Sequence, residues 1–216
     1  MALPRRIAVL ASGRGSNLQA VLDAISDGRL DAVIVGVFSD KPAAPALARV
    51  GDGLRWSRDA SAYPERAAFD ADLAEAVAAT DPDWVVCAGY LRILGTAFVE
   101  RFRGRLLNIH PSLLPAYRGM RTHARALAAD ETEHGASVHF VIPELDAGAV
   151  IAQAAVPIAP CDTPQSLASR VLQVEHPLLL WVLRRAVAGR LAERDGHTVM
   201  DGQAVFTPPR LEFPVP

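Results

Sequence analysis

Short apolar runs recur through the first half of this chain at spacings that leave room for a helix between them. The clearest runs are Ile7–Leu10, Ala32–Phe38 and Asp83–Ala88, and a shorter run lies at Leu54–Ser57. Strands that are apolar throughout are typical of parallel sheets covered on both faces. Strands that alternate with helices imply parallel neighbours joined by crossovers. We therefore expect an α/β fold with a mostly parallel sheet flanked by helices.

Two helices are expected between these strands. The first runs from Leu18 to Ile25 and ends at Asp27-Gly28. The second is rich in alanine and extends to about Ala79, with Pro64 in its first turn, where the missing N–H of proline does no harm.

The second half of the chain has a different pattern. Leu106–Ile109 predicts another strand, and Ser137–Ile142 with Val150–Val156 predicts a hairpin or turned pair. A long helix is expected from Thr163, a plausible cap, to about Ala188, with a kink at Pro177.

The C-terminal segments complete an antiparallel portion. Thr198–Met200 and Ala204–Phe206 flank Asp201-Gly202, which is a hairpin signal. The tail from Thr207 onward is expected to be extended. We expect a single domain over residues 1–216, with one lobe at about 1–104 and the other at about 105–216.

Composition narrows the functional classes. The 216 residues can bury one sizeable core, and the net charge of −2 offers no basic field for nucleic acid. Cys87 and Cys161 lie far apart and indicate neither a disulfide framework nor a metal pair. The start, Met1–Arg6 followed by Ile7–Leu10, is too short for a signal peptide, and no run is long enough for a membrane span. We expect a cytoplasmic protein that binds neither nucleic acid nor membrane.

A glycine-rich turn follows the first strand. Gly13, Arg14, Gly15, Ser16 and Asn17 join it to the first helix. Glycines let the backbone approach a ligand, and the N-terminus of a helix offers unpaired N–H groups that suit a phosphate. The spacing matches neither the dinucleotide motif nor the P-loop, so it points to a single phosphate monoester. A plain turn, with Ser16 or Asn17 capping the helix, is the alternative.

Asn108 and His110 end an apolar strand, and Pro111 then breaks it. Residues two apart on a strand point to the same side. The carboxyl ends of strands are where open α/β sheets bind ligands. An amide donor beside a proton carrier suits a reaction in which a carbonyl oxygen becomes an oxyanion and a leaving group takes a proton. A histidine with a purely structural role is the alternative.

Asp146 strengthens the case for catalysis. It lies in a glycine-ended loop between two predicted strands. If it lies near His110, its charge favours the imidazolium, so we expect the pKa of His110 to be raised and the acid to be protonated near neutral pH. By itself, Asp146 is more typical of a turn residue. His139, on a strand with Ser137 on the same side, could line a pocket or cap a core. The absence of HExxH and GxSxG motifs argues against a zinc protease and a serine hydrolase, and we expect no metal.

Taken together, four motifs resemble the phosphoribosylglycinamide formyltransferase family, in the same order and over roughly residues 5–190. The motifs are Ser12–Leu18, Leu107–Pro115, His134–His139 and Leu145–Gly148. The second is typical of the wider superfamily that uses formyltetrahydrofolate, and the first is specific to this family. The resemblance implies a Rossmann-like formyltransferase fold. It also implies formyl transfer from 10-formyltetrahydrofolate to the amino group of glycinamide ribonucleotide in purine biosynthesis.

The resemblance also assigns roles. His110 matches the general acid, Asn108 the residue that steadies the oxyanion, and Asp146 the carboxylate that tunes the histidine. The ribonucleotide set comprises Gly13, Arg14, Gly15, Ser16, Asn17, Gln173 and Glu175. The folate set comprises Arg66, Leu91, Arg92, Ile93, Leu94, Asn108, Ile142, Pro143, Glu144, Leu145 and Asp146. For Leu91, Ile93 and Leu94, ordinary core packing is the alternative.

Three rival functions stay open. Methionyl-tRNA formyltransferase would need a further C-terminal domain, and formyltetrahydrofolate deformylase would carry an N-terminal regulatory domain. A silent ribonucleotide- or folate-binding protein would not need Asn108, His110 and Asp146. Arg118 and Ala136 depart from the commonest pattern of the family. The loop at residues 114–124 is expected to be a mobile flap over the intermediate, and the protein a monomer or homodimer.

Overall fold

A computed structural model describes residues 3–214, so Met1 and Ala2, and Val215 and Pro216 of the predicted tail, lie outside the described residues. The chain divides into two compact units, of which the first ends at Asn108 and the second begins at Ile109. The boundary falls inside a strand. That both lobes form one domain stays a prediction.

The first unit is built on parallel strands in the order β5-β4-β1-β2-β3. The strands are β1 (Arg5–Leu10), β2 (Ala32–Ser39), β3 (Arg55–Ser57), β4 (Trp84–Cys87) and β5 (Leu106–His110). The strands predicted from apolar runs are confirmed to within a residue or two. The centre of this sheet is fully buried, as at Ile7, Leu10 and Leu107, because the helices cover its faces.

The helices of the first unit are α1 (Ser16–Ser26), α2 (Arg66–Ala79) and α3 (Thr96–Arg101). The prediction that Pro64 lies in the first turn of α2 is wrong. The backbone stays extended through Glu65, the N-cap, and Tyr63 packs edge-on against Phe69, so the helix begins only at Arg66. The short helix α3 was not predicted, because six residues are too few for a helical period to show.

The second unit combines a hairpin, two helices and a small separate sheet. The elements are α4 (Thr122–Ala128), β6 (Glu133–Phe140), β7 (Val150–Pro157), α5 (Pro164–Val187), β8 (Leu191–Arg194), β9 (His197–Met200), β10 (Gln203–Val205) and β11 (Arg210–Leu211). Strands β6 and β7 are antiparallel, as predicted, and β11 in the tail pairs with β7 in parallel. Strands β8, β9 and β10 form an antiparallel three-stranded sheet.

Strand β6 begins four residues before its predicted start at Ser137. Gly135 makes this possible, because an added Cβ would come within 2.0 Å of the Ala154 carbonyl oxygen on β7. A glycine in a strand is typical of such a close approach between backbones. Neither α4 nor β8 was predicted.

Helix α5 packs against β6 and β7 and contributes nine buried apolar residues to the core of the second unit. The predicted cap is confirmed, since Thr163 Oγ1 accepts from the Ser166 N–H and Ser166 Oγ accepts from the Thr163 N–H. The helix continues through Pro177 to Val187. Among residues 3–214, no helix is both long and apolar enough to cross a membrane.

Candidate active site

Three parallel strands of the first unit end at one edge of its sheet. Strand β4 lies between β1 and β5, so their carboxyl ends are neighbours. The Gly13–Asn17 turn follows β1, residues 91–94 follow β4, and Asn108 on β5 lies opposite Cys87 on β4. This is the edge at which open α/β sheets bind ligands. The structure thus brings together a turn, a loop and an amide that the sequence placed far apart.

The glycine turn forms the N-terminus of α1. Gly15 is the N-cap, in a left-handed conformation with φ of 72°, and no side chain caps the helix. The alternative in which Ser16 or Asn17 caps α1 is wrong, because both residues already lie within the helix. Beside the helix N-terminus stands the exposed Arg14. Backbone N–H groups, a helix dipole and a guanidinium together suit a phosphate.

A 3-10 segment at Pro45–Arg49 holds this turn in place. The Ala46 N–H donates to the Gly13 carbonyl at 3.0 Å, and Arg49 Nε donates to the Arg14 carbonyl at 2.8 Å. A Cβ on Gly15 would lie 2.7 Å from the Ala46 Cβ. Position 15 therefore requires glycine for its backbone conformation and for its space.

For the ribonucleotide and folate substrates that the family resemblance implies, we expect Gly15→Ala to raise the KM for the phosphate-bearing ribonucleotide roughly tenfold. The KM for folate should stay nearly unchanged, because only the displaced turn loses its N–H geometry. Steady-state kinetics with each substrate varied in turn measures this. Gly28→Ala is the matched control, since Gly28 also has a positive φ, of 69°, but an added Cβ there meets nothing within 4 Å. Equal losses for both substrates would mean that the turn is only structural.

Residues 91–94, the strap, follow β4 and are tied to the end of β1. Ser12 Oγ accepts from the Leu91 N–H at 3.0 Å and donates to Asp40 Oδ1 at 2.6 Å. Sequence reasoning missed Ser12 and Asp40, which join the strap to the glycine turn. The side chains of Leu91 and Ile93 are 56% and 49% exposed, so ordinary core packing is wrong for them, whereas Leu94 is buried. Exposed apolar side chains beside backbone polar groups suit a flat heterocycle.

Two arginines flank the strap. Arg66 at the start of α2 donates a hydrogen bond to the Ile93 carbonyl, and Arg92 is part of the strap itself. The side chain of Arg66 is about half exposed and that of Arg92 about a quarter exposed. The structure therefore brings the predicted folate residues of the first unit together.

In the second unit, His110 at the end of β5 lies beside Asp146. His110 Nδ1 is 3.4 Å from Asp146 Oδ2, and both side chains are 8% exposed. His110 Nε2 lies 3.1 Å from the Tyr117 carbonyl oxygen. The predicted pairing of this imidazole with this carboxylate is present in the structure.

The pKa of His110 is lowered from its usual 6.5, and the expectation that it is raised is wrong. Burial disfavours the charged ring and dominates. The charge of Asp146 and the Tyr117 carbonyl both favour a proton on the ring but do not compensate for burial. The ring is therefore mostly neutral above pH 6.5, ready to accept a proton before it donates one.

The pKa of Asp146 shifts so as to favour the charged form, unlike that of His110. Burial by itself would raise the pKa of Asp146, but the adjacent His139 ring, a hydrogen bond from the Gly119 N–H at 2.9 Å and the charge of His110 outweigh it. The pKa of Asp146 falls to about 2. The residue has a positive φ of 47°, which aspartate and asparagine tolerate better than most side chains. An ionised carboxylate is thus fixed against the imidazole at neutral pH.

His139 belongs to this group more closely than the sequence indicated. Its Nε2 lies 3.6 Å from Asp146 Oδ1, its Nδ1 donates to the Phe140 carbonyl oxygen at 2.8 Å, and its side chain is 2% exposed. The alternation of β6 placed His139 on an inward side, but only the tertiary fold shows that this side faces Asp146.

The other predicted residues are distributed as follows. The loop at residues 142–146 holds Asp146, with Leu145 44% exposed and Glu144 paired with Arg118 at 3.0 Å. On α5, Gln173 is exposed and Glu175 half-buried, and their predicted role stays a prediction. So does the mobility of residues 114–124, of which the last lie in α4. Within residues 3–214, no group of three His, Cys, Asp or Glu side chains could hold a metal ion.

A family model and a curated relative both identify a formyltransferase family. The formyl transferase family model matches residues 5–183. The phosphoribosylglycinamide formyltransferase of Escherichia coli is 44% identical over 199 residues, which cover 91% of this chain and 94% of that protein.

Solved structures agree with this match. The phosphoribosylglycinamide formyltransferase of Coxiella burnetii superposes with a TM-score of 0.91 at 43% identity, over 98% of this chain and all of that one. A formyltetrahydrofolate deformylase from Pseudomonas syringae gives a TM-score of 0.84 at 26% identity and covers 92% of this chain but only 66% of its own. The fold is therefore shared by enzymes with different fates for the formyl group.

Proposed function

This chain belongs to the formyl transferase family, and from that premise we propose that its substrates are glycinamide ribonucleotide and 10-formyltetrahydrofolate. The enzyme is a phosphoribosylglycinamide formyltransferase of purine biosynthesis. Its products are formylglycinamide ribonucleotide and tetrahydrofolate. The observation that carries the choice of acceptor is the uncapped N-terminus of α1 with Arg14, at the same sheet edge as Asn108.

The ribonucleotide phosphate binds the turn of Gly13, Arg14, Gly15, Ser16 and Asn17, where N–H groups and a guanidinium meet its charge. Gln173 and Glu175 hold the rest of the ribonucleotide. The folate lies against the strap and Arg66, with Ile142–Asp146 gripping its pteridine ring through backbone groups. Flat heterocycles bind in this way, between apolar side chains and a few fixed polar groups.

The reaction begins when the amine nitrogen attacks the formyl carbon. A C–N bond forms, the carbonyl π electrons move to oxygen, and the amide of Asn108 donates to the resulting oxyanion. The attacking nitrogen must then lose a proton, and N10 of the folate must gain one before the C–N10 bond breaks. His110 moves this proton.

Because its pKa is lowered, the His110 ring is neutral before the reaction. This supports a mechanism in which the ring first accepts a proton and then donates it, and not one in which the ring starts as the protonated acid. The neutral ring accepts the proton from the attacking amine, directly or through water, and the imidazolium is stabilised by ionised Asp146. It then protonates N10, and the electron pair on oxygen returns to carbon as N10 departs. Protons balance, so neither an external acid nor a metal enters the scheme.

The deformylase reaction is the second candidate, because a structure described as a formyltetrahydrofolate deformylase has the same fold at 26% identity. Release of tetrahydrofolate, measured by absorbance with and without glycinamide ribonucleotide, separates the two. We expect release only when the ribonucleotide is present, with formylglycinamide ribonucleotide formed in equal amount. Release without it would support the deformylase, and no release in either case would support a silent binding protein. Cytoplasmic location and a monomeric or homodimeric state stay predictions.

A further inference from the structure

Helix α2 carries a buried carboxylate, Asp70, which lies between Arg66 of the same helix and Arg92 of the strap. Arg66 Nε is 3.5 Å from Asp70 Oδ2, and Arg92 Nε is 3.8 Å from Asp70 Oδ1. The second distance is too long for a hydrogen bond. Within the described chain, Asp70 Oδ1 and Arg92 Nε are both buried with no hydrogen-bond partner.

This arrangement is a poor way to stabilise a fold. Exposed pairs such as Arg5 with Asp83, at 2.9 Å, are closely bonded, yet the Asp70 carboxylate, only 8% exposed, makes long contacts. Burying a charge without full hydrogen bonding is costly. Departures of this kind from local stability are expected at functional sites.

Asp70 contacts the strap at Arg92. Arg66 also donates to the Ile93 carbonyl, and the Arg92 guanidinium lies 5.0 Å above the Phe69 ring, so both arginines are fixed on more than one side. Gly95, directly after the strap, leaves room for the carboxylate, because a Cβ there would be 2.7 Å from Asp70 Oδ2. Two arginines and one aspartate leave a single net positive charge.

Arg66 and Asp70 border a cavity. A space of about 490 Å³ lies between α2 and α3, and Arg66, Asp70 and Gly95 are part of its wall. Glu75 and Arg101, which pair with each other, also line it. Arg66, which donates to the Ile93 carbonyl of the strap, therefore lines a space large enough to admit a charged group of a ligand.

We propose that Asp70 is a positioning residue for the formyl-folate site: it holds Arg66 and Arg92 against the strap, so that their remaining positive charge meets the carboxylate end of the folate. The inference rests on the proposed function and concerns a residue with no assigned role in it. Arginine recognises carboxylates through a fixed planar fork, so its orientation matters as much as its charge.

The test compares 10-formyltetrahydrofolate with its formyl pteroate counterpart, which lacks the glutamate. In Asp70→Asn, the KM for the full folate should rise roughly tenfold and kcat should change less than about twofold, because only positioned binding is lost. The KM for the pteroate and the KM for the ribonucleotide should stay at the wild-type values. Asp72→Asn, on the same helix but outside the cavity wall, is the control and should behave like the wild type.

Gly95→Ala provides a second route, because its new methyl group displaces the carboxylate without changing any charge, and it should produce the same selective rise in KM. A folded Asp70→Asn protein with unchanged or lower KM for the full folate would overturn the proposal, as would an equal rise for the pteroate. If Asp70→Asn does not fold, the result for Gly95→Ala decides by the same criteria. Wild-type enzyme with no formyl transfer would instead remove the proposed function, and this inference with it.

Discussion

Asp146→Asn should lower kcat by roughly 10²–10⁴-fold, the range that positioned acid–base groups contribute, and leave the KM for the ribonucleotide nearly unchanged. The carboxylate accepts from the Gly119 N–H and faces the His139 ring and His110 Nδ1. Asparagine has the same shape, but its NH2 group would face these N–H groups. It also lacks the negative charge that stabilises the His110 imidazolium. Asparagine tolerates the positive φ of position 146, so the backbone should persist. Steady-state kinetics with both substrates varied measures the effect.

The pH dependence gives the same prediction a second measurement. The charge of Asp146 raises the pKa of His110 against the larger effect of burial. Without it, the pKa of His110 falls further below 6.5, so any limb of the residual rate that follows His110 should move to lower pH. Asp195→Asn is the matched control, since Asp195 also has a positive φ but is exposed. Wild-type turnover in Asp146→Asn, with an unchanged pH profile, would contradict the pairing.

The free energy of unfolding should also depend on pH through Asp146. The pKa of Asp146 is about 2 in the fold, against about 3.9 in an unfolded chain. The ionised carboxyl therefore contributes stability above the unfolded pKa, on the order of 2 kcal/mol, which is lost as pH falls toward 2. Thermal unfolding at neutral pH should show that Asp146→Asn loses part of this yet stays folded, which separates the catalytic loss from unfolding.

The sequence predicts well which residues lie at the carboxyl edge of the sheet, because the patterns that indicate them are local. Apolar runs, a glycine turn and Pro111 after His110 each depend on a few neighbouring residues, and the structure places the turn, the strap and Asn108 together as strand order requires. Helices α3 and α4 escape prediction because six or seven residues show too little periodicity.

The residues that sequence reasoning missed depend on tertiary register. Ser12 matters because it bonds the strap, and Asp40 because it bonds Ser12. For His139 the sequence indicated a pocket or core position, and only the tertiary fold shows that it faces Asp146. The predicted rise in the pKa of His110 is wrong because the shift also depends on the tertiary fold. A nearby carboxylate can be guessed from the sequence, whereas the extent of burial is a property of the packed fold, and burial dominates here.

His110→Asn should lower kcat by roughly 10²–10⁴-fold, because asparagine can keep a hydrogen bond at the strand end but cannot carry a proton. The KM for each substrate should change by less than about threefold, since His110 acts on the moving proton and not on ground-state binding. His197→Asn, at an exposed histidine of β9, is the control and should keep wild-type rates.

The double variant tests whether His110 and Asp146 act as one unit. Residues that share a single proton-transfer step lose their contributions together, so the combined loss should barely exceed that of the slower single variant. If Asp146 only holds the loop in place, the two losses should multiply, which amounts to about 1.4 kcal/mol more barrier for each further tenfold. Single-turnover rates of formyl transfer, compared across the wild type, both single variants and the double variant, decide between these outcomes. Multiplied losses would mean that Asp146 shapes the site without tuning the imidazole.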